Sequence, residues 1–288
     1  MSVPEWLRAQ AVRLVQATGS MADRLYPVRR RGRLPKASTA VVVHLFHPDR
    51  WEAFAAALYR RPADATVVVT LPWGNRSLIP RIRADVPGAV VYVVPNKGRD
   101  VLPFLRVLPD LARHGCVWVL KLHSKKSPHT GFGDVWFDSA LSSLLPEDVA
   151  GGDALRLARS RPDVGLIGPA GLYLAADVYL ERNARHLAEV GGDLGVGRDW
   201  AADALESGAG FFGGTMFWAR IASIAPLSAL ARPERFEPEA GQVDGTFAHA
   251  LERAFGFLPA LRGFQSLESD GRTVRPAVAH PLQPDTKD

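Results

Sequence analysis

The sequence predicts an α/β protein in which a mixed sheet is flanked by helices. From residue 40 onward, short β-branched runs alternate with amphipathic segments, a pattern typical of a parallel sheet covered by helices. The chain has 288 residues and is 47% hydrophobic, which is enough for one large core. We therefore expect a single folded domain over residues 39–288, preceded by a separate arm at residues 1–38.

The elements follow in order from the first apolar run. Strands are predicted at 40–46, 66–71, 90–94 and 117–122. Helices are predicted after the first three strands, beginning at Pro48, near 78–82 and over 102–113. This repeat predicts a Rossmann-type half sheet, whose ligands lie at the carboxyl ends of its strands. Beyond residue 130 the pattern loosens and predicts a strand at 164–167, a sheet element at 210–218 and a helix after Asp244.

The N-terminal arm is basic and amphipathic. Residues 6–25 show the spacing of a basic amphipathic helix, and a cationic cluster follows it. Two interpretations remain open: the arm lies on an anionic membrane surface, or it packs on its own domain or a neighbouring subunit. Nucleic-acid binding is disfavoured, because no aromatic residues interleave with the basic run. The cluster consists of Arg29, Arg30, Arg31, Arg33 and Lys36.

The remaining composition limits the compartment and the cofactors. Cys116 is the single cysteine, so the sequence offers neither an intrachain disulfide nor a cysteine-based zinc site. No segment reaches the roughly 18 apolar residues of a spanning helix, and the N-terminus lacks the apolar core of a signal peptide. The expectation is a cytoplasmic protein that contacts the inner face of the cell membrane, if at all, through residues 1–36.

The loop after the third strand, residues 96–100, is the first candidate for ligand binding. Asn96 and Gly98 allow close approach of the backbone to a ligand, because glycine has no side chain. Arg99 is suited to grip a phosphate, and Asp100 to accept hydrogen bonds from ribose hydroxyls or a base edge. The alternative is an internal Arg99–Asp100 pair, with Asp100 capping the next helix.

The loop after the fourth strand is rich in cations. It contains His123, Lys125 and Lys126, and no carboxylate occurs between Lys121 and Gly133. We hypothesise that these cations stabilise the negative charge of a phosphate-bearing ligand, as preorganised positive groups do in a water-poor site. The alternative is that the two lysines face solvent, as such runs usually do.

The second half offers candidates for acid–base chemistry. Glu239 and Asp244 precede a helix that carries His249, and groups of these types can accept a proton from a hydroxyl group. Asp244 is equally the expected N-cap of that helix. Phe217 and Trp218 lie in an aromatic-rich strand, which is expected either to contact an acceptor or to belong to the core.

Several of these segments also carry a resemblance to a known family. They span most of the chain and stand in that family's order. The segments are VHLF at 43–46, NKGRDVLPF at 96–104, LKLHSKKS at 120–127, GTMFWAR at 214–220 and QVDGTFAHALER at 242–253. On them the chain resembles the rhamnan synthesis protein F family, glycosyltransferases of bacterial rhamnose-containing surface polysaccharides.

The resemblance implies a GT-A-like, inverting transferase. The donor would be a nucleotide sugar such as dTDP-rhamnose, and the acceptor a glycan or lipid-linked glycan at the membrane. Residues 39–130 would bind the nucleotide sugar and residues 131–270 the acceptor, with a tail at 271–288. Metal-dependent GT-A enzymes carry an Asp-x-Asp motif where this chain has Lys125 and Lys126, so we expect metal-independent transfer, with a divalent cation not excluded by the sequence. A catalytically silent scaffold of a polysaccharide assembly complex and a sugar nucleotide hydrolase remain alternatives.

Overall fold

The computed structural model of the chain describes residues 28–124, 133–147, 152–177 and 180–281. The predicted helix within residues 1–27 and the predicted ligand-binding residues Lys125 and Lys126 lie outside these ranges. Within them, a nine-stranded mixed sheet has helices on both faces, and a separate two-stranded sheet lies beside it. The expected α/β class is therefore confirmed.

The strands coincide closely with the apolar runs of the sequence. The four predicted in the first half are all present, each within two residues of its expected start. The strands are β1 (Arg29–Arg31), β2 (Thr39–His44), β3 (Ala65–Pro72), β4 (Val90–Val94), β5 (Trp118–His123), β6 (Val164–Pro169), β7 (Tyr173–Ala175), β8 (Gly210–Phe212), β9 (Phe217–Arg220), β10 (Gln265–Ser269) and β11 (Val274–Pro276).

Helices fill the connections between the strands, and short 3-10 turns supplement them. The first predicted helix starts later than expected, because a 3-10 turn at Pro48–Arg50 replaces its beginning. The second is present close to its predicted position, after a 3-10 turn at Trp73–Leu78. The α-helices are α1 (Trp51–Leu58), α2 (Ile79–Asp85), α3 (Val101–Arg113), α4 (Gly133–Leu144), α5 (Gly152–Ser160), α6 (Leu180–Leu194), α7 (Trp200–Glu206), α8 (Ile221–Ile224) and α9 (Phe247–Leu261).

The order of the main sheet is β1-β4-β3-β2-β5-β9-β6-β10-β11. Strands β4, β3, β2 and β5 are parallel, and they follow the order in which a doubly wound half sheet arranges its first four strands. The chain therefore moves outward from β2 through β3 to β4, and then returns to place β5 on the other side of β2. The crevice between β2 and β5 is the topological switch point, where such sheets bind ligands.

The aromatic segment 210–218 differs from its prediction as one sheet element. Strand β8 pairs with β7 in the small sheet, whereas β9 enters the main sheet antiparallel to both β5 and β6. The break lies in the turn between them, where Gly214 and Thr215 both have positive φ, 75° and 49°. Two residues in the left-handed region reverse the chain, so a continuous strand is impossible.

Two hydrophobic cores sandwich the main sheet. One contains Phe104 and Leu108 of α3 with Phe255 of α9. The other contains Trp51 of α1 and Leu141 of α4. Because successive residues of a strand point to opposite faces, the parallel strands β2, β3, β4 and β5 each contribute to both cores.

The basic run at Arg29–Arg31 forms the outer edge strand, antiparallel to β4, and it is exposed. The Arg29 guanidinium lies 4.8 Å from the centre of the Trp73 ring. Charged side chains on an edge strand also discourage pairing with another chain. Of the helices in the described ranges, none combines the length and the apolar character that crossing a bilayer requires.

Candidate functional site at the carboxyl edge of the sheet

A row of polar side chains crosses three parallel strands near their carboxyl ends. Thr70 of β3, His44 of β2 and His123 of β5 are register partners, so they lie side by side on one face of the sheet. His44 Nδ1 and Thr70 Oγ1 are 2.9 Å apart and hydrogen-bonded. His123 Nε2 contacts the carbonyl oxygen of Gly214. Hydrophobic residues dominate the rest of these strands. These three polar side chains therefore distinguish the switch point from the remainder of the parallel sheet.

His44 is a neutral histidine at physiological pH. Burial lowers the pKa of its ring from 6.5 to about 4, because the charged form would lose its hydration. The nearby Asp100 carboxylate opposes this shift, whereas His123 and Lys121 reinforce it. A neutral imidazole has one nitrogen that donates a hydrogen bond and one that accepts. The role of Nδ1 in the bond to Thr70 therefore determines whether Nε2 is the donor or the acceptor.

Lys121, two residues before His123 on the same face, makes a buried ion pair with Asp100. Its ammonium group also donates to the Thr215 carbonyl and hydroxyl oxygens, each at 3.0 Å, and the Thr215 hydroxyl donates to Asp100 at 3.1 Å. A buried charge is tolerated only when it is paired and hydrogen-bonded, and this lysine is both. Its nitrogen also lies 5.7–6.0 Å from the ring centres of Phe104, Phe217 and Phe255.

The predicted role of Asp100 in binding a nucleoside is therefore corrected. Its residue is 3% exposed, and its carboxylate is held by Lys121 and Thr215 below the surface. The alternative interpretation is corrected as well, because Asp100 occupies the N-cap position of α3 without a side-chain capping bond. Asp100 instead ties the loop after β4 to strand β5, which lies beyond β3 and β2 in the sheet.

Two strained residues flank this ion pair. Arg99 and Thr215 have φ angles of 55° and 49°, and they are the non-glycine residues with positive φ in the described parts of the chain. For a β-branched threonine this conformation is an outlier, which persists only when surrounding contacts enforce it. Both residues adjoin or belong to the hydrogen-bond network of Lys121. The buried lysine thus holds two loops of unfavourable backbone geometry.

Gly98 shows why the loop after β4 needs a glycine. Its φ is 67°, and a Cβ there would lie 2.5 Å from Leu102 Cβ and 2.7 Å from Phe236 Cδ1. The neighbours that require a glycine here are protein side chains, and the approach of this backbone to a ligand stays a prediction. Asn96, two residues earlier, is exposed.

Arg99 joins the loop after β4 to the second half of the chain. Its backbone N–H donates to Glu239 Oε1 at 3.0 Å, and its guanidinium donates to the Gln242 carbonyl oxygen. The two loops line a small, open crevice, together with Gly98 and Phe236. Glu239 is exposed at this crevice. The structure therefore brings together Arg99 and Glu239, which lie 140 residues apart in the chain.

Asp244, in contrast, is buried in a polar cage. Its side chain is 5% exposed, and both carboxylate oxygens accept from Asn183 Nδ2 at 3.2 Å. The Arg253 guanidinium lies 3.4 Å from Oδ1. The expectation that Asp244 caps the following helix is wrong, because α9 begins at Phe247 and its N-cap is Thr246. Asp244 connects α6 to α9 across the start of that helix.

His249 has a structural position in the same region. It is 3% exposed, and its side chain completes a capping box with Thr246: the Thr246 backbone N–H donates to His249 Nδ1 at 3.2 Å. A ring with these partners orients the first turn of α9. Its predicted place among the catalytic candidates is corrected accordingly, because the ring is enclosed by its own helix terminus.

Phe217 and Trp218 belong to the two cores. They are 1% and 0% exposed on opposite faces of β9, and Trp218 Nε1 donates to the Leu144 carbonyl oxygen at 3.0 Å. This burial leaves no ring surface for a sugar to stack on, so their assignment to an acceptor site is corrected. The alternative interpretation, buried core, holds for both.

Sequence reasoning missed the most polar part of the site. His44, Lys121 and Thr215 lie within the motifs of the sequence, and Thr70 lies within a predicted strand, but none of them was given a role. The available signal was a charged residue inside the apolar strand Trp118–His123, since lysine is almost never fully buried unless it is paired. No cluster of three or more histidine, cysteine, aspartate or glutamate side chains able to hold a metal ion occurs among the residues that the structure describes.

Fold and site together define an α/β protein with a row of polar side chains at the carboxyl edge of its sheet. The chain belongs to the rhamnan synthesis protein F family, whose model matches residues 9–264.

Two curated relatives come from Xanthomonas campestris pv. campestris. Each is called uncharacterized protein WxcX; the one from strain B100 is 34% identical over 228 residues, and the one from strain ATCC 33913 is 33% identical over 228 residues. These regions are 76% of this chain but 31% of each relative, so the chain spans less than a third of the length of the curated relatives. No solved structure matches the chain.

Proposed function

We propose that this chain is an inverting glycosyltransferase with a GT-A-like fold. It transfers a deoxysugar such as rhamnose from a nucleotide sugar such as dTDP-rhamnose to a polysaccharide or lipid-linked acceptor. Family membership supports the class. The observation that carries the proposal is that the backbone N–H of Arg99, in the loop after a parallel strand, donates to the exposed carboxylate of Glu239 at one crevice. A cation for a phosphate and a base for a hydroxyl group are thereby neighbours.

The donor side is the carboxyl edge of β4, β2 and β5. In the proposal, the diphosphate contacts Arg99 and the loop of Asn96 and Gly98. His123, which is 4% exposed and contacts the Gly214 carbonyl oxygen, supports this edge from below. Lys125 and Lys126 follow His123 and Ser124 in sequence, so we retain them as phosphate-binding residues that replace a metal ion. Asp100 acts from below, because its bond to Lys121 holds the loop that carries Arg99.

The acceptor side needs a base, and Glu239 fits this role better than Asp244. Glu239 is exposed at the crevice, whereas Asp244 is enclosed by Asn183 and Arg253. The Glu239 carboxylate takes the proton of the acceptor hydroxyl while the hydroxyl oxygen bonds to the anomeric carbon. The bond from that carbon to the nucleoside diphosphate breaks on the opposite face, so the configuration inverts. Asp244 then holds the loop that presents Glu239.

Activity is tested by incubating the chain with a panel of nucleotide sugars, with and without lipid-linked glycan acceptors, in magnesium and in EDTA. The expected result is an acceptor-dependent glycoside of inverted configuration that also forms in EDTA. Free sugar without acceptor would identify a hydrolase. Donor binding without turnover against any acceptor would instead favour a scaffold, which contacts the membrane through its basic arm and the exposed edge strand Arg29–Arg31.

A further inference from the structure

An exposed aromatic ring stands at the switch point of the sheet. Phe46 follows β2 by two residues and is 41% exposed, whereas Leu45 beside it is 0% exposed. In the described part of the chain, the other large aromatic side chain with comparable exposure is Tyr59, at 77%. Tyr59 ends α1 near the start of β3, at the opposite edge of the parallel sheet. Phe46 is thus the exposed ring at the edge where ligands bind.

The backbone of Phe46 is held by two neighbouring loops. Ser124, directly after β5, accepts through Oγ from the N–H groups of Phe46 and His47, each at 2.8 Å. Asn75, after β3, donates through Nδ2 to the carbonyl oxygens of Leu45 at 3.2 Å and Phe46 at 2.8 Å. Both the donor and the acceptor of Phe46 are therefore satisfied by side chains from the strands on either side of β2.

These hydrogen bonds fix the backbone of Phe46 and so hold its apolar ring at a position that is exposed to water. Ser124 is fully buried, and its own N–H donates to the His44 carbonyl oxygen at 3.0 Å, which closes the clamp onto the end of β2. The His47 ring meets Phe46 edge to face, with centres 4.9 Å apart and planes at 88°. A rigid ring loses little conformational entropy when a flat ligand stacks on it.

We propose that Phe46 is the stacking platform for the nucleobase of the donor nucleotide. This inference rests on the proposed transfer from a nucleotide sugar, and it assigns the base to the β2–β5 crevice. Parallel sheets of this order hold nucleotides across their switch point, and bases stack on exposed aromatic side chains. The diphosphate then extends from this crevice towards the loop after β4, which β3 separates from β2.

Stacking tolerates any base, because every base has a flat π-face. Phe46 therefore contributes affinity for the nucleoside but no choice among bases. Phe46→Ala is expected to weaken the binding of thymidine, uridine and guanosine diphosphates by similar factors. Inorganic pyrophosphate, which has no ring, is expected to bind both proteins equally.

The test is isothermal titration of these three nucleoside diphosphates and pyrophosphate, in magnesium and in EDTA. Phe46→Ala is expected to raise the Kd of the tightest nucleotide about tenfold, which corresponds to about 1.4 kcal/mol. Phe46→Tyr keeps the ring and is expected to bind like the wild type, whereas Phe46→Leu keeps apolar bulk without a ring and is expected to bind weakly. Tyr59→Ala is the matched control and leaves all four affinities unchanged.

The outcomes separate this inference from the proposed function. Unchanged nucleotide affinity in Phe46→Ala, with a wild-type protein that binds nucleotides, overturns the stacking role and leaves the transferase proposal intact. A wild-type protein that binds none of the three nucleotides in either buffer overturns both. Equal weakening for nucleotides and pyrophosphate overturns the stacking role, because it indicates a disturbed site. Circular dichroism of each variant checks that the fold is retained.

Discussion

The two halves of the main sheet supply functional groups in different ways. In the first half, the polar side chains belong to the strands: His44, Thr70 and Lys121 lie in parallel strands and are all less than 8% exposed. In the second half, the candidate carboxylates lie in the loop before α9, and Glu239 is exposed. Strand residues are fixed by neighbours on both sides, whereas loop residues depend on individual contacts. In the proposed transferase, this difference would give a preorganised donor side and an acceptor side that can adjust.

The buried lysine connects the two halves. Lys121 holds Asp100 and Thr215, and Arg99 beside Asp100 holds Glu239 and Gln242. The position of the exposed carboxylate therefore depends, through three contacts, on a charge inside the first half. Substituting Glu239 at one end of this series of contacts and Lys121 at the other distinguishes a residue that takes part in the reaction from one that positions others.

The largest expected effect separates the two acidic residues of the acceptor side. Glu239→Gln is expected to reduce the transfer rate about 10²–10⁴-fold with little change in donor affinity, because a proton acceptor is lost while size and polarity are kept. Asp244→Asn is expected to lower thermal stability more than Glu239→Gln does, because Arg253 loses a buried partner. Rates with a saturating donor and melting temperatures provide the two readouts.

Glu234→Gln is the control for this comparison. Glu234 is an exposed carboxylate five residues before Glu239, so its variant should match the wild type in both readouts. A fully active Glu239→Gln enzyme together with an inactive but stable Asp244→Asn enzyme would reverse the assignment of the base.

The next effect concerns Lys121. Lys121→Met is expected to lower the free energy of unfolding by about 3–5 kcal/mol, because Asp100 would remain as an uncompensated buried charge. Adding Asp100→Leu should recover most of this loss, since an apolar pair can replace a buried ion pair. Denaturant unfolding measures both variants, and nucleotide affinity is measured on the double variant.

The double variant tests whether the ion pair positions the loops or only stabilises the core. We expect it to regain stability but not donor affinity, because neither Met nor Leu can hold Thr215 or the loop of Arg99. Wild-type affinity in a stable double variant would limit Lys121 to a structural role.

The sequence predicted the first half of the fold well and the site only in part. Runs such as Val90–Val94 and Thr39–His44 have local signals, so their strands were correctly placed. The insertion of β9 between β5 and β6 has no such signal, because pairing between distant segments is invisible to local periodicity. The same reason explains Lys121 and Asp100: two residues 21 positions apart meet only once β4 and β5 are in one sheet. The side-chain chemistry of Arg99 and Glu239 was enough to predict each of them as a site residue. Their contact was not predictable, because it joins residues 140 positions apart.

The smallest effect is a pH dependence that originates in the first half. Because burial holds the folded pKa of His44 near 4, against 6.5 ordinarily, the unfolded chain binds more protons between these values. The stability from this group is present above pH 6.5 and is lost as the pH falls towards 4. Between pH 7 and pH 5 the loss is about 2 kcal/mol.

Replacing His44 isolates this contribution. His44→Gln cannot gain a proton, so the free energy of its unfolding in urea should fall less than that of the wild type between pH 7 and pH 5. The exposed His280 provides the control, and His280→Gln should follow the wild-type curve. Because Asp100, Lys121 and His123 also act on His44, a wild-type slope that persists in His44→Gln would assign the proton uptake to that network. In that case the protonation of this part of the sheet would be controlled by the polar side chains together and not by the His44 ring alone.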